Sequence, residues 1–203
     1  IRAFCYCGGK RIFSLRTVIP SGVRVRYSSK VSIARLTPYD WKASAWGSLV
    51  DASGGLKAVK RYYRTAQKWV LRSGVRNGMK KKAAYKKIAS FVSKKASYGS
   101  GHCWKTIIDS GYGACDSYAG LVQVMCNIAG IENLFCRGDA VSGGLSLPHA
   151  WNMVRFRPDG KWYYSDITWF DSDGGKNHSE YLLSAKLWRS HSLSKSGPVK
   201  SMQ

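Results

Sequence analysis

The chain has 203 residues, of which 44% are hydrophobic and 13% aromatic, and it carries a net charge of +22. That length and apolar content suit one domain with room for an accessory element and exclude wholesale disorder. No apolar run reaches the roughly 18 residues that a membrane-spanning helix needs. The chain starts at Ile1, and no apolar signal-peptide core follows, so it reads as a processed or excised piece of something longer.

The charge is unevenly placed. Residues 1–108 hold 24 Lys and Arg against two acids, Asp40 and Asp51, whereas residues 109–203 hold nine of each sign. A field of one sign that large attracts polyanions such as nucleic acid, anionic lipid or the phosphate-rich polymers of a bacterial wall, although a solvated basic surface without a specific partner accounts for it equally.

Residues 12–36 are expected to be extended. Val23, Val25 and Tyr27 alternate with Arg24 and Arg26, and Val31 and Ile33 follow a polar turn. Thr37-Pro38 and Gly54-Gly55 are breaks. A basic helix is then predicted with Leu56, Val59, Tyr63, Ala66 and Val70 on one apolar face, ended by Gly74. A second helix has Ala84, Ile88, Phe91 and Val92 as its face and seven lysines (80, 81, 82, 86, 87, 94 and 95) around the rest. Like charges four apart cost a few tenths of a kcal/mol each, so roughly 1–2 kcal/mol accumulates against this helix unless packing or an anionic partner offsets it.

A third helix begins at or just after Cys115. Tyr118, Leu121, Val122, Met125, Ile128 and Ala129 are apolar, and Ala119 and Val124 fill the opposite side, the pattern of a buried helix stopped by Gly130. A short strand, Leu134 to Arg137, and a Gly-rich loop, Ser142 to Leu147, come next. Residues 149–156 and 161–170 then form a hairpin about Pro158-Asp159-Gly160. Helices followed by strands indicate an α+β domain.

Six cysteines at this length do not read as a disulfide framework, and the absence of any CxxC pair leaves a structural zinc site without support. Cys115 stands apart because Gly111 and Gly113 allow a sharp bend before it and an apolar helix follows. A thiolate is the nucleophilic form of cysteine, and a helix N-terminus or a nearby imidazole favours it. Asp116 opposes this, because a carboxylate beside the sulfur disfavours the anion unless it points elsewhere. His149 opens a strand after a Gly/Ser/Pro loop, where its side chain can reach a cleft. Asp166 lies among Tyr164, Ile167 and Trp169, where a carboxylate needs a partner. A four-residue loop, Arg157 to Gly160, pairs Phe156 with Lys161 and sets Asp166 opposite Trp151, diagonal to His149 on the same face; a three-residue loop would separate the two. Cys115, His149 and Asp166 thus form a candidate nucleophile, base and orienting carboxylate. A buried structural cysteine and a packed histidine are the competing readings of these residues taken singly.

The blocks GACDSYAG, HAWNMV and WYYSDITWFD resemble the three motif blocks of the transglutaminase-like superfamily, in the family's order. The spacing is similar as well, with 34 residues from Cys115 to His149 and 17 from His149 to Asp166. Ser97-Tyr98-Gly99 resembles the end of the family's upstream helix and Tyr181-Leu182-Leu183 its closing segment, so the likeness covers about residues 79–190, while residues 1–75 match nothing nameable. The resemblance implies a papain-like transglutaminase core, a central helix on an antiparallel sheet, with Cys115 as nucleophile, His149 as base and Asp166 as its orienter. It divides the chain into a basic N-terminal extension, 1–75, and a catalytic domain, 76–203.

What the resemblance implies is an amide chemistry through an acyl-enzyme, without cofactor or metal; the acidic residues form no calcium loop. The expected function is a bacterial-type cysteine hydrolase of peptide or isopeptide bonds acting on protein or peptide. A protein-crosslinking transglutaminase and an inactive module bound to an anionic polymer are the alternatives. The backbone N–H of Cys115 is a candidate oxyanion donor and Trp104 a second, with a core role for Trp104 as the other reading. The basic residues of 1–108 suggest retention on a cell-wall polymer or similar polyanion, hence a secreted or surface-associated protein. No nucleic-acid motif accompanies the charge.

Overall fold

The computed structural model describes residues 2–7, 10–16, 29–31, 33, 56–157, 160–171 and 178–194. In chain order the elements are strands β1 (Arg2–Cys7) and β2 (Lys10–Arg16), helices α1 (Leu56–Arg72) and α2 (Lys81–Lys95), and strand β3 (Ser97–Tyr98). Helix α3 (Trp104–Ser110), strand β4 (Tyr112–Gly113) and helix α4 (Cys115–Ile128) follow. Strands β5 (Glu132–Ser142), β6 (Leu145–Arg155) and β7 (Trp162–Ser165), helix α5 (Ile167–Asp171), a 3-10 turn (Ser179–Tyr181) and strand β8 (His191–Leu193) complete them.

The hydrophobic pattern of α4 explains its central place. Tyr118, Leu121, Val122, Met125 and Ile128 are buried, as are Ala119 and Val124 on the other side, so the helix is covered on nearly every face. Each large apolar side chain buried this way contributes roughly 1.5–3 kcal/mol. Helices α1 and α2 pack on it through the faces expected of them: Tyr63, Ala66 and Val70, joined by Tyr62, and Ala84, Ile88 and Val92, joined by Tyr85 and Ala89. Phe91 is half-buried against Trp69. The lysines at 82, 86, 87, 94 and 95 of α2 are exposed. The alternation expected at Val23 to Tyr27, the breaks at Thr37-Pro38 and Gly54-Gly55, and the side chains of Leu56 and Val59 lie outside the described residues.

Opposite the helices is a four-stranded antiparallel sheet in the order β7-β6-β5-β8. The buried Asn152 of β6 donates to the Ala119 carbonyl of α4 at 3.0 Å, tying sheet to helix. The β6–β7 register runs from Asn152 opposite Ser165 to Arg155 opposite Trp162. This is the register of the four-residue loop, and Gly160 N–H closes that loop on the Arg157 carbonyl at 2.9 Å.

Two local expectations are corrected. The Ser142–Leu147 stretch is not an open loop: β5 and β6 run eleven residues each to a two-residue turn. Gly143 (φ 58°) and Gly144 (φ 80°) supply the left-handed backbone that such a turn requires. The strand expected through residue 170 ends at Ser165, because Asp166 accepts the Trp169 N–H at 3.2 Å on its side chain and the Phe170 N–H at 3.0 Å on its carbonyl, starting α5.

Gly138 of β5 lies between His149 and Leu193 in the pairing, and a Cβ built there would sit 1.7 Å from the Ser192 carbonyl oxygen. Gly138→Ala is therefore expected to push β8 off the sheet edge and to destabilise the fold by about 1–3 kcal/mol. Thermal melts of the two proteins check this; an unchanged midpoint would mean that β8 yields freely.

Candidate active site

The turn ahead of Cys115 is clamped by backbone bonds. Gly111 ends α3 with φ 79°, its carbonyl accepts the Ser97 N–H at 2.8 Å, and the Gly113 carbonyl accepts that of Gly99 at 3.1 Å. Ala114 N–H donates to the Gly101 carbonyl at 2.8 Å. The chain enters α4 in extended backbone at Ala114, so Cys115 becomes the first helical residue. The first N–H groups of a helix have no intrahelical acceptor and present partial positive charge to an anion formed there.

Cys115 is half-buried and lines a cavity of about 510 Å³ together with His102, Asp116, Arg137, Gly138, Pro148, His149 and Ala150. Asp116 does not stay free beside the sulfur: its Oδ2 lies 3.1 Å from Nδ1 of the exposed His102. On the other side of His149 is a cavity of about 450 Å³, walled by Tyr98, Leu147, Pro148, Trp169 and Thr168.

His149 and Asp166 meet as the register expects. His149 Nε2 is 2.7 Å from Asp166 Oδ2, with the His149 side chain 8% exposed and that of Asp166 0%. Burial works against the imidazolium, but hydrogen bonds to Asp166 and Cys115 and the charges of both overcome it, holding the His149 pKa up at about 9. Because Nε2 is taken by Asp166, Nδ1 is the ring nitrogen left for the sulfur. Burial also raises the pKa of Asp166, and the hydrogen bonds from two histidines outweigh it and leave the carboxyl below its ordinary value. A thiol, an imidazole and a carboxylate so arranged can move a proton from sulfur to ring while the carboxylate balances the ring's charge.

The second of those histidines is the residue that sequence reasoning missed. His191, at the start of β8, is buried, and its Nε2 lies 3.1 Å from the same Asp166 Oδ2. No motif marks it; the one hint is its position beyond an aromatic-bearing segment, Tyr181 to Trp188, which packs around it. His149, Asp166 and His191 offer ligand atoms within 4.8 Å of one another, a grouping able to surround a cation. Both ring nitrogens converge on one carboxylate oxygen at hydrogen-bond distance, which makes the arrangement seen a hydrogen-bonded network.

Elements at a distance hold Asp166 in place. Tyr85 donates to the Ser165 hydroxyl at 2.6 Å, which donates to the Leu182 carbonyl at 2.6 Å, and Asp166 N–H donates to the Tyr181 carbonyl at 2.9 Å. At the far end of α5, Asp171 accepts from Ser93 at 2.7 Å and Tyr118 at 2.8 Å. Trp104 is in the core, edge-on to Tyr62, with its indole N–H buried and without a hydrogen-bond partner. Of the other described cysteines, Cys126 and Cys136 are buried; burial raises both thiols, that of Cys136 to about 12.

A central helix with cysteine at its N-terminus, packed on an antiparallel sheet that brings a histidine and an aspartate together, defines the papain-like class of α+β folds. Residues 68–167, just under half of the chain, match the family model of the Transglutaminase-like superfamily. The chain is 36% identical over 63 residues to kyphoscoliosis peptidase of Mus musculus and, to the same extent, of Homo sapiens. Each match takes in 27% of this chain and 9% of the relative, so the chain spans only a small part of those proteins. A crystal structure of a TGase superposes with a TM-score of 0.49 and 15% identity, over 65% of this chain and 38% of that one.

The His149 shift has a stability consequence. A pKa raised from 6.5 to about 9 in the fold contributes stability that is fully present below 6.5 and is lost as pH rises through 9. The urea midpoint is therefore expected to fall between pH 6 and 9.5, and His149→Gln to remove most of that dependence. A midpoint equally pH-dependent in the variant would assign the effect to other groups.

Proposed function

We propose that the chain is a cysteine hydrolase that cleaves peptide or isopeptide bonds through an acyl-enzyme. The observation that carries this reading is the join of Cys115, at a helix N-terminus, to a His149 whose far nitrogen is fixed 2.7 Å from the buried Asp166. Below pH 9 His149 already holds the proton as an imidazolium, and the Cys115 sulfur attacks the amide carbonyl carbon as a thiolate paired with it. The oxyanion forms beside the Cys115 backbone N–H. His149 then returns the proton to the nitrogen as the C–N bond breaks, which leaves a thioester and frees the amine. Water, losing a proton to His149, attacks the thioester, and the acid product and the thiol are released. Asp166 keeps the ring oriented and balances its charge throughout.

Transfer to a second amine in place of water would make the chain a crosslinking transglutaminase. Hydrolysis is favoured because Cys115 faces a cavity of about 510 Å³, room for water to reach the thioester, and because the curated relatives are named peptidases. In this reading residues 76–203 are the catalytic domain, and residues 1–75 are a basic extension whose helix α1 docks on the core.

On a casein or peptidoglycan-peptide panel the protein is expected to release fragments, and Cys115→Ala to lower the rate on the order of 10⁴-fold or more. Loss of free amines with gain in mass would indicate crosslinking instead. Iodoacetamide at pH 6 is expected to label Cys115 faster than Cys103; equal rates would leave only the binding-module reading.

The same reading extends to where the protein acts. Among the described residues no helix is long and apolar enough to cross a membrane. Lys80, Lys81, Lys82, Arg157 and Lys161 line a cavity of about 640 Å³, and the exposed lysines of α2 add to this basic surface. This charge would hold the protein on an anionic polymer outside the cell. Binding to heparin or isolated wall polymer is expected to weaken steeply from low to high salt, and salt-independent binding would exclude an electrostatic role.

A further inference from the structure

The reaction proposed above employs a single imidazole, yet Asp166 holds two. Its carboxylate has three donors: Trp169 N–H on Oδ1 at 3.2 Å, and on Oδ2 both His149 Nε2 at 2.7 Å and His191 Nε2 at 3.1 Å. Ser190 Oγ lies 3.0 Å from His191 Nδ1. When that hydroxyl donates, the proton of the neutral ring must sit on Nε2, aimed at Asp166; the opposite tautomer would set a lone pair against the carboxylate. The site is dry. The rings of Trp169, Trp188 and Trp151 surround the His191 ring at centroid distances of 4.6, 4.9 and 5.1 Å, and its side chain is 0% exposed. The titratable groups that face it are Asp166 at the head of α5, His149 on β6 and Tyr181 of the 3-10 turn.

We propose that His191 is a positioning residue: its Nε2–H, held in place by Ser190, locks the Asp166 carboxylate and takes up part of its charge, and so sets how tightly Asp166 grips the His149 imidazolium. The inference rests on the Cys115–His149–Asp166 reading. A carboxylate oxygen that serves two donors is a weaker acceptor for each than one that serves a single donor. With His191 present, His149 is held firmly enough to be oriented and loosely enough to give its proton to the leaving amine. Without it, the full acceptor strength of Oδ2 falls on His149, and the ring retains its proton to higher pH.

The test is the iodoacetamide labelling rate of Cys115 as a function of pH, which needs no identified substrate. The alkaline inflection that reports His149 is expected near pH 9 in the unaltered protein. His191→Phe keeps an aromatic ring in the cage and removes the donor, and is expected to move that inflection up by roughly half a unit or more. His191→Gln places an amide N–H near the position of Nε2 and is expected to restore it. Ser190→Ala, which frees the tautomer, is expected to move it up by less. A purely structural role for His191 would lower the melting temperature of these variants without moving the inflection, and that result overturns the proposal, as does a Gln variant no different from Phe. If His191→Phe does not fold, the other two variants decide: the inflection must stay in Gln and rise in Ser190→Ala. The two readings fail separately. Slow labelling of Cys115 in the unaltered protein defeats the hydrolase reading, whereas fast labelling with an immovable inflection defeats only the role of His191.

Discussion

A carboxylate with no exposure to water must be satisfied inside the protein, and Asp166 is one. Its two oxygens take a helix N–H and two imidazoles, and the desolvation it suffers is outweighed by those bonds. Most of what is unusual in the C-terminal half follows from that requirement. β7 stops at Ser165 because the next residue caps a helix, and α5 exists because Asp166 starts it. β8 needs Gly138 opposite it to come close enough to bring His191 to the same oxygen.

The surrounding fold acts as a frame for this charge. Helix α4, covered by α1, α2, α3 and the sheet, has little freedom to shift, and so the cysteine at its first position is fixed relative to β6. α5 is anchored at both ends, by Asp166 itself and by Asp171 on Ser93 and Tyr118. The side chains involved come from α2, α4 and α5, so the rigidity of the histidine pair is a property of the whole core. At Asp171 the balance falls the other way from Asp166: burial outweighs its two hydrogen bonds, from neutral hydroxyls, and leaves its pKa raised.

The two halves of the chain solve different electrostatic problems. Near the site, each buried or half-buried acid has a named partner: Asp166 with two histidines, Asp116 with His102, Asp171 with a serine and a tyrosine. On α2 the lysines at 86, 87, 94 and 95 are exposed, Lys82 lies over the Tyr163 ring at 5.2 Å, and the buried face carries the helix. Packing there offsets a like-charge cost of about 1–2 kcal/mol, which is small beside the burial of Ile88, Val92 and Tyr85.

Much of this was legible from residue patterns alone. The apolar faces of α1 and α2, the buried character of α4, its start at Cys115 and the even loop between β6 and β7 all rest on short-range rules: a period of 3.6 or 2, and a turn of fixed length. The Gly143-Gly144 turn obeys a local rule too, but the residue pattern there is that of a loop, because the outer ends of the long strands beside it, with Leu145 and Leu147 exposed, are not buried. The start of α5 was hidden because Asp166 serves as a cap only once its side chain is held where Trp169 N–H can reach it. By itself, then, the sequence determined the helices α1, α2 and α4 and their buried faces, the hairpin of β6 and β7, and that an even loop puts His149 and Asp166 on one face. Only the tertiary structure decided that Asp116 turns to His102 and that His191, 25 residues beyond Asp166, closes on the same oxygen. The His191 contact depends on β5 lying between β6 and β8, a long-range pairing that no local periodicity encodes.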